Sequence, residues 1–220
     1  RIDARLALSQ VALESRDGSI AIGDLRARLD LDYRQPANAG ALLAIDATLQ
    51  GGELLYGNTY VALTDAPVHA RIDARQLAHG GWGVPHLSWQ DGDALAVEGA
   101  ATLAADGTPS RLELAARSAT LEAVPARYLS GWLGLAGLSD LGLEGAFDAR
   151  LRVEDGRLAN IDAAFHDVSV LDPRQRFRIE GLDGDLRHAS DAGVESELRW
   201  RQGQLYGLAF GAIRLPLRSD

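Results

Sequence analysis

Between Leu25 and Tyr33 the chain reads Leu-Arg-Ala-Arg-Leu-Asp-Leu-Asp-Tyr, a strict alternation of apolar and charged positions, and the same beat returns over 1–8 and 147–153. Successive side chains of a strand point to opposite faces, so each stretch predicts a ribbon with one apolar and one charged face. Pairs favoured in tight turns punctuate the pattern at Asp17-Gly18, Gly51-Gly52, Gly80-Gly81, Asp91-Gly92, Asp106-Gly107, Asp155-Gly156, Asp183-Gly184 and Gln202-Gly203. Their spacing predicts a long antiparallel meander. The predicted strands are 1–14, 19–33, 41–50, 53–64, 66–77, 84–89, 94–104, 109–121, 141–154, 157–171, 175–188, 193–201 and 204–218. Ile20 and Ile22 sit on one parity and Leu25 to Leu31 on the other, so an extra residue at Gly23 is expected as a bulge.

Two further patterns modify this picture. A phrase recurs, Gly52-Glu53-Leu54-Leu55-Tyr56-Gly57 and Gly203-Gln204-Leu205-Tyr206-Gly207, which favours a sheet that grows by adding similar units. Over 122–136, Val124, Tyr128, Leu129, Trp132 and Leu133 recur at helical spacing with Pro125 placed for a first turn. That predicts one short amphipathic helix, read as a lid on an end or edge of the sheet, or as a segment that touches a membrane or partner.

The 220 residues are 46% hydrophobic and 24% charged, the proportions of a folded chain, and they carry a net charge of -9 with no run of Lys or Arg. Nucleic acid and anionic membrane surfaces are therefore poor partners. The absence of cysteine excludes disulfide scaffolds, thiolate zinc sites and cysteine nucleophiles. No apolar run approaches the roughly 20 residues that span a bilayer, and the chain starts at Arg1. The expectation is one elongated β domain over 1–220, cut from a longer protein whose signal or anchor lies outside it.

Chemistry is sparse. No two of His69, His79, His86, His166 and His188 stand at the spacing of a shared ligand face, so no metal is expected. Ser130 lacks a nucleophile elbow, and no phosphate-binding glycine loop follows a strand and opens a helix. Asp91-Gly92-Asp93 and Asp183-Gly184-Asp185 lack the further oxygens of a calcium loop and are read as turns. No catalytic residue and no cofactor is assigned.

What remains is the apolar face. Its candidate members are Ile2, Leu6, Leu25, Leu29, Leu31, Phe147, Leu151, Val153, Phe177, Ile179, Leu198 and Trp200. Two architectures would use it: a sandwich of two sheets with a dry core and function on its loops, or an open trough whose apolar lining stays available to a guest chain.

Tyr128-Leu129-Ser130-Gly131-Trp132-Leu133, followed by Gly142-Leu143-Glu144-Gly145-Ala146-Phe147-Asp148-Ala149-Arg150-Leu151, resembles the AsmA-like superfamily of envelope proteins, in which a short helix precedes a glycine-led strand. Phe177 to Leu186, Leu198-Arg199-Trp200 and Gln204-Leu205-Tyr206-Gly207 are most similar to its YdbH-type members. The resemblance implies an all-β fold: an elongated, twisted, mostly antiparallel sheet curled into a groove, like a taco, that carries phospholipid acyl chains between inner and outer membranes of a Gram-negative cell. It also implies a periplasmic location, an inner-membrane anchor in the full-length protein, and other envelope proteins as partners. It brings no catalytic residue. The alternatives are the sandwich as a binding or adhesion module and, last, a polysaccharide-acting enzyme using turn carboxylates.

Overall fold

The computed structural model describes residues 1–57, 59–63 and 66–219. Sixteen strands form one open antiparallel sheet. The first six are β1 (Ile2–Glu14), β2 (Ile20–Arg34), β3 (Leu42–Leu49), β4 (Gly52–Tyr56), β5 (Thr59–Leu63) and β6 (Val68–Gln76). Next come β7 (Trp82–Asp91), β8 (Leu95–Leu103), β9 (Pro109–Ser118), β10 (Gly142–Glu154) and β11 (Arg157–Leu171). The last five are β12 (Phe177–Ala189), β13 (Val194–Trp200), β14 (Gln202–Leu205), β15 (Leu208–Phe210) and β16 (Ile213–Ser219). Between β9 and β10 lies the single helical segment, a π-helical turn at Pro125–Leu129 running into α1 (Ser130–Leu135).

The main path runs β1-β2-β3-β6-β7-β8-β9-β10-β11-β12-β13-β16, neighbour to neighbour. Two short hairpins branch from it. β3 and β4 pair with different halves of β2, and β13 and β14 pair with different halves of β12. The chain leaves β3 for β4 through Gly51-Gly52, both at positive φ (109° and 107°), and a Cβ on Gly52 would meet Leu25 Cα at 2.6 Å. Only glycine fits that bend, so Gly51-Gly52 kinks the strand where a reversal was expected.

The two branch points are related. Gln10 and Asp24 take positive φ on β1 and β2, and Asp167 and Gly181 do so on β11 and β12, in each case fourteen residues apart. After each pair of bulged strands comes a hairpin whose tip carries Tyr-Gly, Tyr56-Gly57 in one and Tyr206-Gly207 in the other. The recurring phrase therefore marks a repeated structural unit, β1–β6 and β11–β16.

Several expectations are corrected. The predicted strand 53–64 is two, β4 and β5, with positions 58 and 64 outside the described residues; 204–218 is three, β14 to β16. The bulge near Gly23 is present, but the positive φ falls on Asp24. Asp183-Gly184-Asp185 lies inside β12, with Gly184 at φ 129° under the Glu197 carbonyl, and is no turn. The sandwich of two sheets is not formed: all the strands belong to one open sheet. Burial follows from that. Its two apolar clusters are small, one around Leu25, Leu49, Leu63 and Val68, the other around Leu121, Val124 and Val168.

Candidate apolar trough

Directly opposed residues of an antiparallel sheet share a face, so pairing traces each face across the strands. One row runs Leu6, Leu29, Ala47, Ala70, Trp89, Val97, Ala116, Ala149, Ala163 and Leu186. The next runs Ala4, Leu31, Ile45, Ile72, Leu87, Gly99, Leu114, Leu151, Ile161 and His188. At the spacing of neighbouring strands, ten strands carry such a row about 40 Å. The other face carries Arg5, Asp30, Asp46, Arg71, Ser88, Glu98, Ala115, Arg150, Asp162 and Arg187 in the same register. Ion pairs such as Arg5–Asp30 (3.0 Å) and Arg187–Asp185 (3.1 Å) line that face; exposed, they keep it wetted and add little stability.

The twelve candidate residues all fall on the apolar face. They do not gather into one pocket: Ile2 and Leu6 lie on edge strand β1, Leu25, Leu29 and Leu31 on β2, Phe147, Leu151 and Val153 on β10, Phe177 and Ile179 on β12, and Leu198 and Trp200 on β13. Leu25 alone is buried, at 7% exposure, whereas Ile2 is 58% exposed and Leu6 45%. The contributions of β3 and β6 to β9 were missed, because alanines and glycines dilute their alternation.

Where β2 carries β4 and β5, the sheet bends so that their apolar face looks toward that of β7 and β8. Between them lies a cavity of 440 Å³ walled by Ile22, Leu54, Val61, Trp89, Val97 and Tyr128, among others, with almost no polar surface. Tyr128 comes from the segment 119–141, which crosses the apolar face as a strap.

The strap is tied down at three places. At its start, Leu121 N–H donates to Gly145 O (3.0 Å), and Leu121 and Val124 bury themselves against Val168, with Phe147, Phe165 and Leu182 around them. In the middle, Trp89 Nε1 donates to Tyr128 Oη (2.8 Å), and the Tyr128 hydroxyl donates to Asp91 Oδ2 (2.8 Å). Arg127 closes a buried ion pair with Asp91, which is 1% exposed. Burial pushes the Tyr128 phenol well above its ordinary value, so it remains a donor at neutral pH. At its far end, Arg176 Nη2 donates to Gly137 O (2.9 Å) while its guanidinium holds the Asp172 carboxyl down to about 2. The π-turn and α1 also pack against β5.

The sequence pattern located this helix but not the buried group beneath it, for Asp91-Gly92 carries the signature of a turn. It is one, since Ala94 N–H donates to Asp91 O (3.0 Å), yet the Asp91 side chain points to a partner 36 residues away. Other polar groups are local: His166 meets Asp148 (3.2 Å) and His188 meets Ser219 (2.6 Å). Among the described residues no group of three or more His, Asp or Glu is placed to hold a metal, and no helix is long and apolar enough to cross a membrane. No family model, no curated protein and no solved structure matches the chain.

Proposed function

We propose that this chain is a lipid-conducting segment of an AsmA-like envelope protein, periplasmic and held to the inner membrane through the full-length protein, and that its apolar face carries phospholipid acyl chains. The observation that carries the reading is the apolar row from Leu6 to Leu186, uninterrupted by charge and belonging to one open sheet that no second sheet covers. A tail of roughly sixteen carbons exposed to water costs on the order of 10 kcal/mol, at about 0.8 kcal/mol per methylene. A continuous apolar floor removes most of that cost along its length. Aliphatic and alanine side chains suit sliding, because they offer contact without polar points at which a tail would stick. The phrases at 128–133, 142–151, 177–186, 198–200 and 204–207 that resemble the AsmA-like superfamily add to the reading. The role assigned is conduction, with no catalytic residue and no cofactor.

Solvent extraction of the purified protein, analysed by mass spectrometry, tests this. Phospholipid is expected with the wild-type chain. Leu29→Asp and Leu151→Asp place a carboxylate mid-floor on a half-exposed face and are expected to leave folded proteins that have lost the lipid. A lipid-free wild-type protein that takes up none from vesicles would refute the proposal.

A further inference from the structure

Trp89 is the one aromatic ring in a row otherwise made of Leu, Val and Ala, and it stands fifth of ten. Its neighbours in the row are Ala70 and Val97, so the ring rises from a shallow floor. The strap sets Tyr128 on it edge-to-face, with ring centroids 6.5 Å apart and planes inclined at 75°. Trp89 packs with the cluster around Val68, and Tyr128 with the cluster around Val168. The pair thus sits where the two apolar clusters meet, and an aliphatic chain moving along this row meets both rings.

We propose that Trp89 and Tyr128 form a gate that divides the trough, and that the Asp91–Arg127 ion pair latches it shut. The inference rests on the acyl-conduit reading given above. The latch is local. Asp91 accepts from Tyr128 and pairs with Arg127, so the two strap residues over the trough are fastened to the end of the strand that bears Trp89. Beyond Tyr128 the strap is held less firmly. No residue of α1 is buried, Trp132 is 51% and Leu135 77% exposed, and the next polar tether described is Gly137 O. Opening therefore needs the Tyr128 ring to lift while both ends of the strap stay anchored. The gate sets the rate at which a chain enters and leaves the cavity beneath the strap, and it leaves affinity largely to the floor.

The test is stopped-flow transfer of pyrene-labelled palmitate from the protein to excess phosphatidylcholine vesicles, with equilibrium binding measured alongside. Tyr128→Ala is expected to speed both uptake and release about tenfold, with the dissociation constant nearly unchanged. Tyr128→Phe keeps the ring and loses the hydroxyl to Asp91, and falls between it and wild type. Trp89→Leu, which keeps an apolar floor, speeds exchange in the same way should Tyr128→Ala not fold. Leu135→Ala, on the exposed side of α1, exchanges at the wild-type rate. Folded Tyr128→Phe and Trp89→Leu proteins that exchange at the wild-type rate would overturn the gate while sparing the conduit. A wild-type protein that binds no pyrene-labelled palmitate would overturn both.

Discussion

Asp91 and Arg127 are withdrawn from water at the end of β7, beside the apolar row, at 1% and 7% exposure. Two ions in that position cost desolvation energy that their attraction returns only with good geometry and full hydrogen bonding. Tyr128 supplies the missing donor to the second Asp91 oxygen. An apolar pair could hold the strap equally well, so the ions contribute placement: they fix which turn of the strap lies over Trp89. Asp91→Ala, which removes the carboxylate paired with the buried Arg127 guanidinium, is expected to lower unfolding free energy in urea by about 3–5 kcal/mol. The double replacement Asp91→Leu with Arg127→Met is expected to recover most of that loss. A single replacement costing no more than the double would show that the pair is not buried as a unit.

At the scale of the elements, the strands were readable wherever alternation was strict. β2 and β10 were placed to within a residue or two because charged residues at alternate positions over 26–34 and 148–154 leave no other period, and β1 and β11 because the turn pairs Asp17-Gly18 and Asp155-Gly156 bound them. The side hairpins were not. Leu54-Leu55-Tyr56 and Leu205-Tyr206 are apolar on both faces, so the pattern does not show where the chain reverses, and Tyr-Gly at each tip is weaker turn chemistry than Asp-Gly. Gly51-Gly52 and Asp183-Gly184 misled in the opposite direction, since glycines that permit a kink or a close strand crossing look the same in sequence as glycines that permit a turn. The kink at Gly52 aims β4 and β5 over the trough. Gly52→Ala adds a Cβ against Leu25 Cα at a φ of 107°, and is expected to destabilise the fold by about 2 kcal/mol. Hydrogen exchange should show the loss concentrated in β4 and β5, while exchange accelerated evenly over the sheet would contradict this account of the bend.

For the whole molecule, which faces would be apolar was legible and what would cover them was not. Alternation defines a face, but whether a second layer packs on it depends on contacts between distant parts of the chain, such as Tyr128 on Trp89 and Arg176 on Gly137. The pairing keeps the two faces in register from Leu6 to Leu186 although the register shifts in several strand pairs, and in both repeat units the positive-φ positions of paired strands, Gln10 with Asp24 and Asp167 with Gly181, stand fourteen residues apart. The result is one sheet with a charged side and an apolar side that the 119–141 strap crosses and no second sheet covers. The central claim, that the apolar side is occupied by lipid along its length, is tested most directly by photo-crosslinking in cells. A benzophenone amino acid would be placed in turn at Leu29, Ala70, Ala116 and Ala163 on the apolar row and at Arg71 and Arg150 on the opposite face. Phospholipid adducts at all four apolar positions and at neither arginine are the predicted result. Adducts on neither face, or equally on both, would contradict it.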